Sequence, residues 1–282
     1  MKTSSSVRSS LSLILLAVLG MNAEGATLLT DRFSDGNRTE DPAWYWLTTA
    51  GSASRVDTVA NNAWTVGISS AGSSTSYEVA YFNPTTLTVG SSITFSFSFS
   101  YAADSISAGN GFRFGLLNSQ ESRVDADSLT SVSNAAFTDN LGYGVFYTLQ
   151  SAAGNYSLVE RSGTSANVWS ATAFATALKA TSSSSSSSGS TYTASLTLNY
   201  ISEDNLTITA VVDGTTLTVI DTTPATLTYD MISIYAGGAN GALTLSEINV
   251  TTTAVPEPSS VSMVIGGAML VAAGALARKR RP

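Results

Sequence analysis

Ile93-Thr94-Phe95-Ser96-Phe97-Ser98-Phe99-Ser100-Tyr101 is the stretch that decides the fold class: large apolar residues hold the odd positions and Ser or Thr the even ones. Successive side chains of a strand point to opposite faces, so this period of two buries the whole apolar set on one side of a sheet. A helix would scatter the same residues around its circumference. Tyr192 to Tyr200 repeats the alternation. Leu206 to Val212 and Thr215 to Ile220 flank Asp213-Gly214. An Asp-Gly pair between alternating segments predicts a hairpin with a tight turn.

Further strands are expected at Thr27 to Phe33, Ala63 to Ile68, Tyr77 to Phe82, Gly111 to Leu117 and Leu141 to Leu149. Tyr156 to Arg161, Met231 to Tyr235 and Ala242 to Val250 complete the set. Ser34 to Asn37 reads as a turn and Asn83-Pro84 as a breaker. In the last strand Leu243 and Leu245 share one parity and Ile248 and Val250 the other, so a bulge near Ser246-Glu247 is needed to keep one inward face. Ser119 to Asn140 is the longest polar excursion. The run Ser182 to Ser188, continued to Thr191, is expected to be a flexible loop because it has no surface to bury. With no sustained helical period in the body, the expected fold is all-β, an antiparallel β-sandwich or jelly roll spanning residues 26–252. The hairpin at Asp213-Gly214 and the terminal strand Leu243 to Thr251 resemble the back half of laminin-G-like, concanavalin-like jelly rolls. That resemblance implies pairing of the first and last strands, with Leu28 to Phe33 beside Leu243 to Val250.

Both ends of the chain differ in composition from this body. Lys2 and Arg8, the apolar stretch Leu11 to Leu19 and the small-x-small site Ala23-Glu24-Gly25 read as a signal peptide over residues 1–25. Residues 253–282 hold Pro256-Glu257-Pro258, an apolar run from Val261 to Ala277 and the basic end Arg278-Lys279-Arg280-Arg281. A run of that length just spans a bilayer core as a helix, and the cations after it stay on the cytoplasmic side. Its many Gly and Ala residues make it a weak permanent anchor. The three features in this order resemble the PEP-CTERM sorting signal of bacterial exported proteins. The resemblance implies recognition of Pro256, Glu257 and Pro258 by an exosortase, a membrane-embedded transpeptidase, with transient residence in the inner membrane and delivery to the cell surface or extracellular matrix. An ordinary C-terminal anchor without processing is the alternative.

Charge and missing residue types narrow the function. Residues 26–255 hold 7 basic and 18 acidic residues, a net charge of −11, which disfavours nucleic acid and anionic lipid as partners. The chain has no cysteine, so its core and not disulfides must hold it. It has no histidine either, which excludes Ser-His-Asp and Cys-His catalysis and His-ligated zinc or haem. A glycosidase with two carboxylates is the enzyme class that survives. The Glu-x-Asp-x-x-Glu pattern of concanavalin-like glucanases is absent, however; Glu121, Asp125 and Asp127 fall in a loop, and Glu160, Glu203-Asp204 and Glu247 are isolated. A non-enzyme is expected. No cofactor is expected; calcium is the one inorganic partner considered, with Asp31, Asp35 and Asn37 or Asp125, Asp127 and Asp139 as oxygen donors. The expected role is structural or adhesive and linked to exopolysaccharide. A carbohydrate-binding module is the alternative, its open face carrying Trp44, Trp46 or Trp169, since indole faces stack on sugar rings. The competing assignment for these tryptophans is the core.

Overall fold

The structure, a computed structural model, describes residues 25–49, 55–68, 75–101, 111–148, 155–174, 177–182, 189–237 and 242–253. The expected signal peptide, the Pro256-Glu257-Pro258 motif, the apolar run 261–277 and the basic end lie outside the described residues, as does the serine run beyond Ser182. Among the described residues no helix is long and apolar enough to cross a membrane.

In chain order the strands are β1 (Gly25–Asp31), β2 (Trp44–Thr48), β3 (Arg55–Ala60), β4 (Ala63–Ile68) and β5 (Thr75–Thr86). Next come β6 (Ser92–Tyr101), β7 (Gly111–Asn118), β8 (Leu141–Thr148), β9 (Asn155–Arg161) and β10 (Ala177–Ser182). The last are β11 (Thr191–Ser202), β12 (Asn205–Val212), β13 (Thr215–Asp221), β14 (Thr228–Gly237) and β15 (Ala242–Thr253). They form two sheets. Sheet A runs β13-β12-β11-β6-β15-β4-β3 with β1 added against β15, and sheet B runs β10-β9-β8-β7-β14-β5-β2. The first and last strands therefore pair, and the all-β sandwich expected from the alternation is what forms.

β6 alternates buried and half-buried residues along its whole length. Its Phe95, Phe97 and Phe99 meet Phe112 and Phe114 of β7 across the sheets, with ring centroids 4.6 to 6.1 Å apart. Each such ring contributes about 1.5–3 kcal/mol by leaving water. At the hairpin Asp213 and Gly214 take φ of +48° and +74°, the left-handed pair that a two-residue turn requires. The parity switch in β15 occurs at Glu247, φ +53°, after which Ile248 and Val250 return to the core.

Three strands were not legible. β2, β3 and β10 are short or polar, and packing against longer neighbours selects them. Asn83-Pro84 does not end its strand: β5 continues to Thr86, and its pairing with β14 skips from Tyr81↔Met231 to Thr85↔Tyr229. The bulge absorbs the proline. β2 covers β5 only from Ser76 to Ala80, so the missing N–H of Pro84 meets no ladder on that side.

Sheet B also carries a second apolar layer on its outer face. Leu47, Tyr77, Val79, Leu117 and Met231 project outward and are covered by Val124, Phe137, Val168, Trp169 and Phe174 from the segments 119–140 and 162–174. Gly115 and Gly144 floor this layer: a Cβ at Gly144 would lie 2.8 Å from the Trp169 ring. Arg161 holds the cover down, donating to the carbonyls of Phe137 (2.6 Å), Ser165 (2.8 Å) and Val168 (3.1 Å). The polar excursion of the sequence is thus a packed lid.

Candidate binding cleft

Where β5 runs past Ala80 into its bulge, Tyr81 packs on the outer-face layer of sheet B and Asn83 is exposed. Arg123, just after β7, reaches back over Tyr81 with its guanidinium carbon 5.0 Å from the ring centroid. Arg123 Nη2 donates to the Phe82 carbonyl at 3.0 Å and to Asp230 Oδ2 at 2.8 Å. Asp230 is 2 % exposed and also accepts from the Ser119 backbone N–H (2.7 Å) and hydroxyl (2.6 Å). Three charge-assisted bonds fix that carboxylate, and it in turn fixes the arginine. Tyr81 packs on Tyr45 at 6.1 Å, and its hydroxyl accepts from the Val124 N–H at 3.1 Å. Burial pushes the Tyr81 phenol up to about 12, so it stays neutral and keeps its proton to donate.

Beside this group opens a cleft of about 620 Å³, walled by β1 on one side and by Glu40, Asp41 and Pro42 on another. Tyr81, Asn83 and Arg123 line the opposite wall. The volume falls in the range of small-molecule sites. An anchored guanidinium, a carboxamide, carboxylates and a neutral phenol next to apolar surface are groups that bind vicinal hydroxyls while a ring face rests on the tyrosine and proline.

None of these cleft residues was singled out from sequence. The signal was weak: Tyr81 and Asn83 lie in one strand, but Arg123 and Glu40-Asp41 come from distant loops. The tryptophans that the carbohydrate-binding alternative would place on an open face are interior. Trp44, Trp46 and Trp169 are 1 %, 0 % and 2 % exposed, and each indole N–H is used inside the protein. Trp44 donates to Asp31 Oδ2, Trp46 to the Ser76 hydroxyl and Trp169 to the Ser233 hydroxyl. A ring without solvent access offers no stacking face, so the core assignment holds for all three.

Four of the six oxygen donors considered for calcium are likewise committed elsewhere. Asp31 accepts from Phe33 and Trp44, Asp35 caps the Asn37 N–H, Asn37 accepts from Thr39, and Asp127 pairs with Arg38 at 2.7 Å. Among the described residues no group of three or more acidic side chains gathers in a way that could hold a metal ion. Two carboxylates, Glu160 and Asp221, face one Tyr143 hydroxyl in the seam between the sheets.

No family model matches the chain, and no curated protein matches it. Among solved structures it is similar to the carbohydrate recognition domain of Emp46p. The metal-free form superposes with a TM-score of 0.51 at 10 % identity, covering 79 % of this chain and 94 % of that one. The potassium-bound form gives 0.52 at 10 % identity, covering 79 % and 95 %. At that identity the likeness is one of fold.

Proposed function

We propose that this chain is an exported, non-catalytic glycan-binding β-sandwich that acts at the cell surface or in the extracellular matrix. The observation that carries the reading is the cleft in which Arg123, fixed by the buried Asp230, stacks on Tyr81 beside Asn83. The likeness to carbohydrate recognition domains supports it at the level of fold, which by itself does not fix function. Binding is favoured over a purely structural role because the cleft presents an exposed arginine, fixed by a buried carboxylate, beside a half-exposed aromatic. Export rests on the sequence: the leader at residues 1–25, and the Pro256-Glu257-Pro258 block with its apolar run and tetrabasic end as a handle for an exosortase.

A glycan array probed with the mature body tests the binding. Tyr81→Leu is expected to weaken capture about tenfold, the loss of one aromatic contact and its cation partner. Retention of full binding by Tyr81→Leu, or no capture of any glycan, overturns the reading. Mass spectrometry of the protein from its host tests processing: the expected C-terminus lies upstream of Val261, and a chain ending at Pro282 counts against sorting.

A further inference from the structure

The charge inventory of the cleft points to one class of glycan, and this step rests on the glycan-binding reading. Among the described residues Arg123 is the only cation lining the cleft, and its charge is already matched by Asp230 at 2.8 Å. Glu40 and Asp41, adjacent in sequence and exposed on the facing wall, form no ion pair among the described residues. The cleft therefore offers two exposed carboxylates without an ion-pair partner among the described residues; Arg32 lines an adjoining pocket with Asp41, but Asp31 and Asp35 line it too, so the surroundings stay net negative. A uronic acid placed there meets like charge on the wall and finds the arginine occupied. A neutral sugar gains hydroxyl contacts only. A hexosamine with a free, protonated amine gains the same hydroxyl contacts together with Coulomb attraction to Glu40 and Asp41.

We infer that the cleft selects polymers of de-N-acetylated hexosamine over their N-acetylated and uronic-acid counterparts. The apolar surface of Tyr81 and Pro42 holds the ring, Asn83 and Arg123 take its hydroxyls, and Glu40 and Asp41 take the ammonium. Exposed ion pairs are individually weak, so two of them favour the amine by about fivefold at low ionic strength, and the preference fades as salt screens them.

Titration calorimetry with a glucosamine hexamer, its fully N-acetylated form and a galacturonate hexamer, at pH 6 in low salt, tests this. The expected order is glucosamine first, N-acetylglucosamine about fivefold weaker and galacturonate weakest. The double variant Glu40→Gln, Asp41→Asn is expected to erase the difference between the first two. Glu203→Gln with Asp204→Asn removes equal charge at the exposed β11–β12 turn and is expected to keep the preference. Equal or tighter binding of the N-acetylated hexamer overturns the selectivity and leaves glycan binding standing. Loss of the preference in the Glu203, Asp204 control assigns it to net charge and overturns it too. Failure of all three hexamers overturns the selectivity, while the array decides the glycan-binding reading.

Discussion

The two open sides of the sandwich are closed by opposite chemistries. On one side, where β3 of sheet A meets β2 of sheet B, Arg38 is 7 % exposed and spans the gap. It pairs with Asp57 at 2.8 Å and Asp127 at 2.7 Å and donates to the Trp44 carbonyl at 2.9 Å. Trp64 lies under the guanidinium at 5.4 Å and donates its indole N–H to Asp57 at 2.9 Å. On the other side no ion pair joins the sheets among the described residues. The Tyr143 hydroxyl donates to Asp221 Oδ2 at 2.7 Å and lies 3.4 Å from Glu160 Oε1, while Lys179 of β10 caps the Thr218 carbonyl on the edge of β13. One seam is held by matched charge under aromatic cover. The other is held by a hydroxyl shared between two acids, so that titration reaches one of the acids that close it.

The charged seam breaks hardest when one partner goes. Arg38→Met strands two carboxylates that desolvated positions have committed to a cation, and its expected cost in urea denaturation is about 3–5 kcal/mol, toward the lower figure because both aspartates keep some solvent. Replacing all three charges together, Arg38→Met with Asp57→Asn and Asp127→Asn, is expected to restore much of the loss. A triple variant no more stable than the single one would show that the pairs add net stability and do not merely satisfy each other.

Beneath that seam sits a second titrating group. Glu78 is fully buried; one oxygen accepts from the Ser76 hydroxyl at 2.8 Å and the other has no partner. Burial raises its pKa from 4.5 to about 8. A carboxyl whose folded pKa is raised gives its full stability below pH 4.5, loses it steadily as pH climbs toward 8, and changes little above. The full shift is an upper bound of about 5 kcal/mol, and the unpaired amide of Gln returns part of it. Glu78→Gln is therefore expected to be about 2 kcal/mol more stable than the parent at pH 8, and to lose that advantage at pH 5. An advantage that persists unchanged at pH 5 would assign the effect to packing.

These seams also mark where the sequence stopped being readable. The strands that carry the core announce themselves by period two, as at Ile93 to Tyr101, because a half-buried strand must alternate whatever it packs on. The Asp213-Gly214 turn and the bulge at Glu247 were legible for the same local reason: backbone geometry there limits which residues fit. Arg38, Asp57 and Asp127 are 19 and 89 residues apart from the arginine outward, and no local rule links them. The lid over sheet B was hidden differently. Segment 119–140 is polar in composition, and only a few residues, Val124 and Phe137 among them, do the packing. The available clue lay on the other partner, in β7 and β8, where Gly115 and Gly144 interrupt strands apolar on both faces and leave room for Trp169. The cleft was illegible for the reason most binding sites are, since rigid strands supply one wall and unrelated loops the rest.

The smallest effect falls on the uncharged seam and separates its two acids. Burial raises the Glu160 pKa, with the nearby Asp221 carboxylate adding to the rise, against the opposing bond from the Ala225 N–H at 2.8 Å. Its stabilising contribution is therefore whole below the ordinary glutamate range and lost as pH rises through the raised value. Tyr143→Phe removes the hydroxyl that both acids face and is expected to cost about 1–2 kcal/mol, since Asp221 Oδ2 loses its short bond in a buried place. Glu160→Gln keeps the geometry, removes the titration, and is expected to reduce the pH dependence of thermal unfolding that remains in a Glu78→Gln background, a part that Tyr143→Phe leaves in place. If Glu160→Gln left that part unchanged in the Glu78→Gln background, the assignment of a titrating acid to the uncharged seam would be wrong.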